Sequence, residues 1–114
     1  MINLPWPPSN NHYYTVARGR KILSKRGRAY KKECAIEIMR QLLGKRGVAS
    51  TTRYCVTIYA RPPDKRKRDL DNLIKPILDA LVEGKVIYDD SQIDDLRIQR
   101  FDPVKGGSIQ VLIY

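Results

Sequence analysis

Leu70, Leu73, Ile74, Ile77, Leu78 and Leu81 recur at offsets of 0, 3, 4, 7, 8 and 11 residues, which gathers them on one face of a helix, over an arc of roughly 140°. The spacing predicts a helix that begins near Asp71 or Asn72. A second helical stretch follows Ser24 and runs to about Gly44, with Cys34, Ala35, Ile38, Met39 and Leu42 on one face and Glu33, Glu37 and Arg40 on the other. Gly44 and Gly47 are its candidate terminators. The period changes to two over residues 53–61: Tyr54, Val56, Ile58 and Ala60 face one way, and Arg53, Cys55, Thr57, Tyr59 and Arg61 the other. That alternation predicts a strand with one better-buried side, stopped by Pro62-Pro63. Strands are also expected at 95–101 and 108–114, and the turn Pro103-Val104-Lys105-Gly106-Gly107 between them reads as the tip of a hairpin.

The N-terminal end allows less regular structure. Ile2-Asn3-Leu4 has room for a short strand, but Pro5, Pro7 and Pro8 exclude a central strand or a helix and leave a stiff, turn-rich loop. A hairpin is expected around Gly19. The order β, β-hairpin, α, β, α, β, β predicts an α+β fold: a mixed sheet of about four to five strands with two main helices, in a single small domain spanning residues 1–114. With 114 residues, 42% of them hydrophobic, the chain can fill one modest core. Pro76 interrupts the helix expected from Asp71 or Asn72 onward; it is tolerable if that helix starts near Asn72 and otherwise predicts a kink.

Charge changes this picture. Lys and Arg number 22 against 12 Asp and Glu, a formal net charge of +10, which points to an anionic partner, either nucleic acid or a membrane surface. The charge is also uneven: residues 1–50 carry eleven of the basic side chains but only two of the acids, and the other ten acids lie between Asp64 and Asp102. A basic half beside an acidic half fits nucleic-acid binding joined to catalysis, although charge runs are more often solvated surface. No apolar run approaches the roughly 18 residues of a membrane helix, and the first residues lack a signal-peptide layout. A cytoplasmic, nucleoid-associated protein is expected. Cys34 and Cys55 lack metal-ligand spacing and read as small core residues.

The chemistry concentrates in Arg68-Asp69-Leu70-Asp71-Asn72-Leu73-Ile74-Lys75. Two carboxylates at i and i+2 follow directly on the basic run Lys65-Arg66-Lys67-Arg68. Bare carboxylates repel the polyanion that the basic run attracts, unless they hold a divalent cation that reverses the local charge. For Asp69 and Asp71 to share a cation, the chain must be extended through Asp69, because i and i+2 point about 200° apart in a helix. A hard cation such as Mg²⁺ takes oxygen ligands from separated segments, and Asp89-Asp90, followed by Ser91, supplies a second acidic pair. The plainer alternative makes Asp71 or Asn72 an N-cap and Asp71–Lys75–Asp79 a solvated salt-bridge ladder. Asn10 and Asn11, with His12, Tyr13 and Tyr14, offer polar and aromatic contacts to sugar, phosphate or unstacked bases. Arg18, Arg20 and Lys21 follow in the hairpin, and Lys25, Arg26, Arg28, Lys31 and Lys32 suit a phosphate backbone. His12 has the chemistry of a general base, but a lone histidine beside tyrosines is more often a hydrogen-bonding surface residue. There is no Gly-rich phosphate loop and no Ser-His-Asp arrangement.

In combination, Leu4-Pro5-Trp6-Pro7-Pro8-Ser9-Asn10-Asn11, Arg68-Asp69-Leu70-Asp71-Asn72-Leu73 with Lys75, Asp79-Ala80-Leu81, Asp89-Asp90 and Lys105-Gly106-Gly107 resemble the RusA family of Holliday junction resolvases over nearly the whole chain. The resemblance implies a small homodimeric endonuclease that binds four-way DNA junctions and nicks symmetrically related strands, in recombination and repair. It implies Mg²⁺, with Mn²⁺ as a substitute, held by Asp69, Asp71 and Asp90, with Lys75 as the essential lysine. Asp89 is the neighbour without that match. In this reading Lys75 stabilises charge on the scissile phosphate or leaving oxygen, no small-molecule substrate is expected, and Asn10, Asn11, Arg18, Arg20 and Lys65 to Arg68 contact DNA. The alternatives are a general Mg²⁺-dependent nuclease without junction preference and a non-enzymatic basic DNA-binding protein. The chain departs from the family pattern in the short segment before Leu4 and in Pro76.

Overall fold

The structure, a computed structural model, describes residues 1–42 and 51–114. Its elements in chain order are β1 (Ile2–Leu4), α1 (Asn10–Tyr13), β2 (Tyr14–Ala17), β3 (Arg20–Leu23), α2 (Lys25–Leu42), β4 (Tyr54–Arg61), α3 (Asp71–Glu83), a 3₁₀ turn (Asp90–Gln92), β5 (Ile93–Arg100) and β6 (Ser108–Ile113). Four strands form a mixed sheet in the order β1-β6-β4-β5, and β2 and β3 form a separate hairpin. Arg18 and Gly19 turn that hairpin with φ of 53° and 74°, the left-handed values of a tight two-residue connection.

The two C-terminal strands do not pair with each other, contrary to the hairpin expected from sequence. β5 runs parallel to β4, with α3 as the crossover, while β6 lies antiparallel to β4 on its other side. A parallel neighbour cannot be reached by a tight turn, and the seven residues 101–107 carry the chain across the end of β4 instead. They are tied down there: the Phe101 amide donates to the Ala60 carbonyl and the Val104 amide to that of Pro62, each at 2.9 Å.

The strand alternation at 53–61 is realised in the core. Val56, Ile58 and Ala60 join Ile2, Leu4, Ile109 and Val111 on the sheet face that α2 and α3 cover. From α3 the core takes Leu73, Ile77, Leu78 and Leu81, with Leu70 and Ile74 packed against its edge. Pro76 sits within α3 and is buried. It forfeits one backbone hydrogen bond, a loss of about 3 kcal/mol in a helix interior, but the four aliphatic side chains contribute about 1.5–3 kcal/mol each on burial, and the helix runs on to Glu83.

In α2 the buried residues are Gly27, Tyr30, Cys34 and Ile38, whereas Met39 is 53% exposed. The expected apolar face is therefore corrected by part of a turn towards Tyr30. Gly27 is what allows this approach, since a Cβ there would lie 2.3 Å from the Tyr13 carbonyl oxygen. Ser24 caps the helix, accepting from the Gly27 amide at 3.0 Å. The expected terminators Gly44 and Gly47 lie outside the described residues. Burial pushes the Cys34 thiol up to about 12, consistent with an inert core residue. Gln41 covers the β1 edge of the sheet, its amide donating to the Asn3 carbonyl and its oxygen accepting from the Asn3 amide, both at 2.7 Å. Among the described residues no helix is long and apolar enough to cross a membrane.

Candidate functional site

The start of α3 is where the separated motifs meet. Asp71 is the first residue of the helix, as the spacing predicted, and Leu70 before it is already helical at φ −61° and ψ −36°. The Asn72 amide donates to the Asp69 carbonyl at 3.3 Å, so the change from loop to helix falls at Asp69. Both carboxylates are exposed. Asn10 reaches across from the proline-rich segment and donates through Nδ2 to Asn72 Oδ1 at 2.8 Å. An extended, turn-rich loop is expected for that segment, but it makes one helical turn at Asn10–Tyr13, with the Ser9 carbonyl accepting from the His12 and Tyr13 amides. Asn11 and His12 are exposed, and His12 Nδ1 pairs with the Ser9 hydroxyl at 3.0 Å.

Lys75 stands one turn into the helix. Its Nζ lies 2.9 Å from Asp79 Oδ1 and 3.9 Å from Asp90 Oδ2, which brings the second acidic pair to the same helix face. The hydrogen bond to Asp79 is the main reason that the ammonium titrates above its ordinary value, Asp90 adding a smaller effect. The two neighbouring aspartates are separated by their contacts. Asp89 caps the 3₁₀ turn, accepting from the Ser91 amide at 2.9 Å, and its own amide donates to Gln92 Oε1 at 3.0 Å. Its hydrogen bonds with Ser91 hold its carboxyl below the usual aspartate range.

The basic loop builds the rest. Arg68 donates to Asp64 Oδ1 at 2.7 Å and its guanidinium lies 5.9 Å from the centre of the Trp6 ring. That pairing with Arg68 is the chief cause that lowers the Asp64 pKa. From the sheet, Arg100 donates to the Arg68 carbonyl at 2.5 Å, gripping the backbone just before Asp69. Trp6 in turn packs on Gly107, which has φ +72° and where a Cβ would come within 2.9 Å of the Trp6 Cβ. Only glycine fits that turn without strain.

Trp6 and Arg66 to Arg68 are shared by two adjoining clefts, of about 550 and 620 Å³. The second also takes in Asn10, His12, Arg26, Asp69 and Asn72. Lys65 and Lys67 are exposed and form no ion pair among the described residues. Arg18 and Arg20 stand exposed at the tip of the β2–β3 hairpin, where Lys21 lies over the Tyr14 ring at 4.3 Å.

Asp69, Asp71 and Asp90 offer only carboxylate oxygens, a donor set that fits a hard cation such as Mg²⁺ and leaves room for water. Among the described residues no three acidic, histidine or cysteine side chains converge closely enough to form a ready metal cluster.

Sequence reasoning missed Trp6 on Arg68, Arg100 on the loop backbone, and the Tyr13 hydroxyl, which donates to Asp79 Oδ2 at 2.9 Å. These partners lie 32 to 66 residues apart, and no local period signals them.

A small α+β fold in which Asp69 lines a cleft together with Arg26, Arg66, Lys67 and Arg68 defines the class: a protein with an acidic residue set in a cation-lined surface. The comparisons narrow it. The family model described as Endodeoxyribonuclease RusA matches residues 5–114. The chain is 40% identical to the crossover junction endodeoxyribonuclease RusA of Escherichia coli strain K12, and 41% identical to that of Enterobacteria phage 82. Each match runs over 112 residues, 98% of this chain and 91% of the relative. The chain belongs to the RusA family.

Proposed function

We propose that the chain is a structure-selective endodeoxyribonuclease that resolves Holliday junctions by paired, symmetric nicks, and that it acts on DNA inside the cell as a homodimer. The observation that carries this reading is the approach of Asp90 to Lys75, 3.9 Å away on the helix that Asp71 begins, beside a loop of four consecutive cations, in a chain whose relatives are named for that activity.

The residues divide the work. Lys65, Arg66 and Lys67 attract and seat the phosphate backbone, while Arg68, fixed by Asp64 and Trp6, sets the position of Asp69 next to it. Asp69, Asp71 and Asp90 would hold Mg²⁺, for which Mn²⁺ can substitute. Bound there, the cation supplies an acidified water and neutralises charge on the phosphate. Lys75 presents its remaining N–H donors to the phosphate or the leaving oxygen. Asp89, spent on the cap, keeps the turn that aims Asp90.

A four-way junction has approximate two-fold symmetry, and releasing two intact duplexes takes a cut in each of two related strands. One chain carries one set of these three aspartates, so a C₂ dimer matches the substrate.

The test is a junction and a linear duplex of equal length, offered together at matched salt with Mg²⁺ and then with EDTA. Selective junction cleavage with Mg²⁺ alone is expected. Equal cleavage of both substrates would make the chain a general nuclease, and undiminished binding with no cutting under either condition would make it a DNA-binding protein only.

A further inference from the structure

The geometry points to Asp79 as a positioning residue that, clamped by the Tyr13 hydroxyl, fixes the ammonium of Lys75 for the reaction. The inference rests on the proposed role of Lys75 in cleavage and adds two residues to it.

A lysine on an exposed helix face holds an i,i+4 carboxylate weakly, because its stem has four rotatable bonds and water competes for both charges. Lys75 is 58% exposed, and with an ordinary partner its ammonium would wander. Asp79 is not ordinary. Its side chain is only 19% exposed, and its two oxygens are divided: Oδ1 meets Lys75 Nζ at 2.9 Å, and Oδ2 accepts from the Tyr13 hydroxyl at 2.9 Å. Rotating the carboxylate to follow a drifting lysine breaks the second bond.

Tyr13 is well made for this task. It is fully buried, and its ring meets the Tyr14 ring edge-on with centroids 4.8 Å apart. Burial first, and then its bond to Asp79, raise the pKa of the hydroxyl far above the ordinary tyrosine value, so the group donates at every working pH. The chain of contacts therefore runs from the core through Tyr13 and Asp79 to Lys75, and ends at Asp90, 3.9 Å further on. An ammonium with three donors keeps one on Asp79 and has others for the substrate. A solvated ladder along α3, the plainer reading of Asp71, Lys75 and Asp79, explains neither the burial of Asp79 nor its tyrosine.

The test uses full-length Tyr13→Phe, which keeps the buried ring and deletes only the hydroxyl, together with Asp79→Asn and Lys75→Met. In the metal-free protein without DNA, ¹H–¹⁵N spectra of lysine ammonium groups should show a slowly exchanging signal that is absent from Lys75→Met and lost or broadened in Tyr13→Phe and Asp79→Asn. In single-turnover junction cleavage with Mg²⁺, each of the latter two should cut about tenfold more slowly with junction affinity unchanged, and neither should slow Lys75→Met further. A retained ammonium signal in Tyr13→Phe overturns the clamp. So does an equal loss of rate in the Lys75→Met background, which marks a merely structural role. If Asp79→Asn does not fold, Tyr13→Phe carries both readouts. Should the wild-type protein leave junctions uncut, the resolvase reading falls, and the ammonium spectra still decide whether Tyr13 and Asp79 hold Lys75.

Discussion

Asp89 and Asp90 are adjacent in the chain but face different partners: Asp89 accepts from the Ser91 amide at 2.9 Å, and Asp90 stands 3.9 Å from the ammonium of Lys75. One carboxylate holds the turn and the other is delivered by it. Asp90→Asn should therefore abolish cleavage while leaving the melting temperature nearly unchanged. Asp89→Asn, which can still accept from the Ser91 amide, should cut at close to the normal rate. Asp89→Ala should lower the melting temperature, since it removes the carboxylate that accepts from the Ser91 amide. Cleavage rates and thermal melts of the three variants check the division, and an Asp89→Asn protein as dead as Asp90→Asn would reverse it.

The basic loop makes a prediction about salt. Lys65 and Lys67 are exposed and form no ion pair among the described residues, and Arg66 approaches Asp64 only at 3.7 Å. Replacing all three by Ala should weaken binding to every DNA form and flatten the plot of log affinity against log salt by about one unit of slope per lost phosphate contact. Titrations at several salt concentrations measure this directly. An unchanged slope would show that the run is ordinary surface.

A third prediction concerns acid. The pairing with Arg68 depresses the Asp64 carboxyl in the folded chain below its ordinary value near 3.8. The folded-state pKa is lower than the unfolded one, so the contribution to stability is present above the unfolded value and is lost as pH falls through the folded one. Asp64→Asn should thus be less stable than wild type at neutral pH, and the gap should close in strong acid. Denaturant unfolding across that range checks the sign.

Much of the fold was legible locally. The offsets from Leu70 to Leu81 located α3 because one helix face is its only continuous apolar surface, and the alternation at 53–61 located β4 because only one of its sides is covered by helices. α2 was harder to orient. Its core contacts come from Gly27, Tyr30, Cys34 and Ile38, where a glycine and a tyrosine outweigh the aliphatic Met39. The pairing of β6 with β4 rather than β5 depends on which edge a seven-residue connection reaches, and no period encodes that. The acidic residues proposed for the site stand out in the sequence because acids set directly beside a basic run demand a chemical reason. Tyr13 does not stand out, because its hydroxyl meets Asp79 across 66 residues, and in the sequence Asp79 reads as one rung of a surface ladder.

The central claim is that two copies of this chain make paired cuts at one junction, and a supercoiled plasmid bearing an extruded cruciform tests it most directly. Each chain has a mass of 13.2 kDa, and sedimentation of the working species should give about twice that. Asp71→Asn keeps the shape of the site and removes one negative charge facing phosphate, so it should bind junctions at least as well as wild type and cut none. With Mg²⁺, wild-type dimers should convert the plasmid to linear product in one binding event, whereas dimers mixed from wild-type and Asp71→Asn chains should stop at nicked circles. Linear product from the mixed dimers, in the same yield as from wild type, would contradict the account.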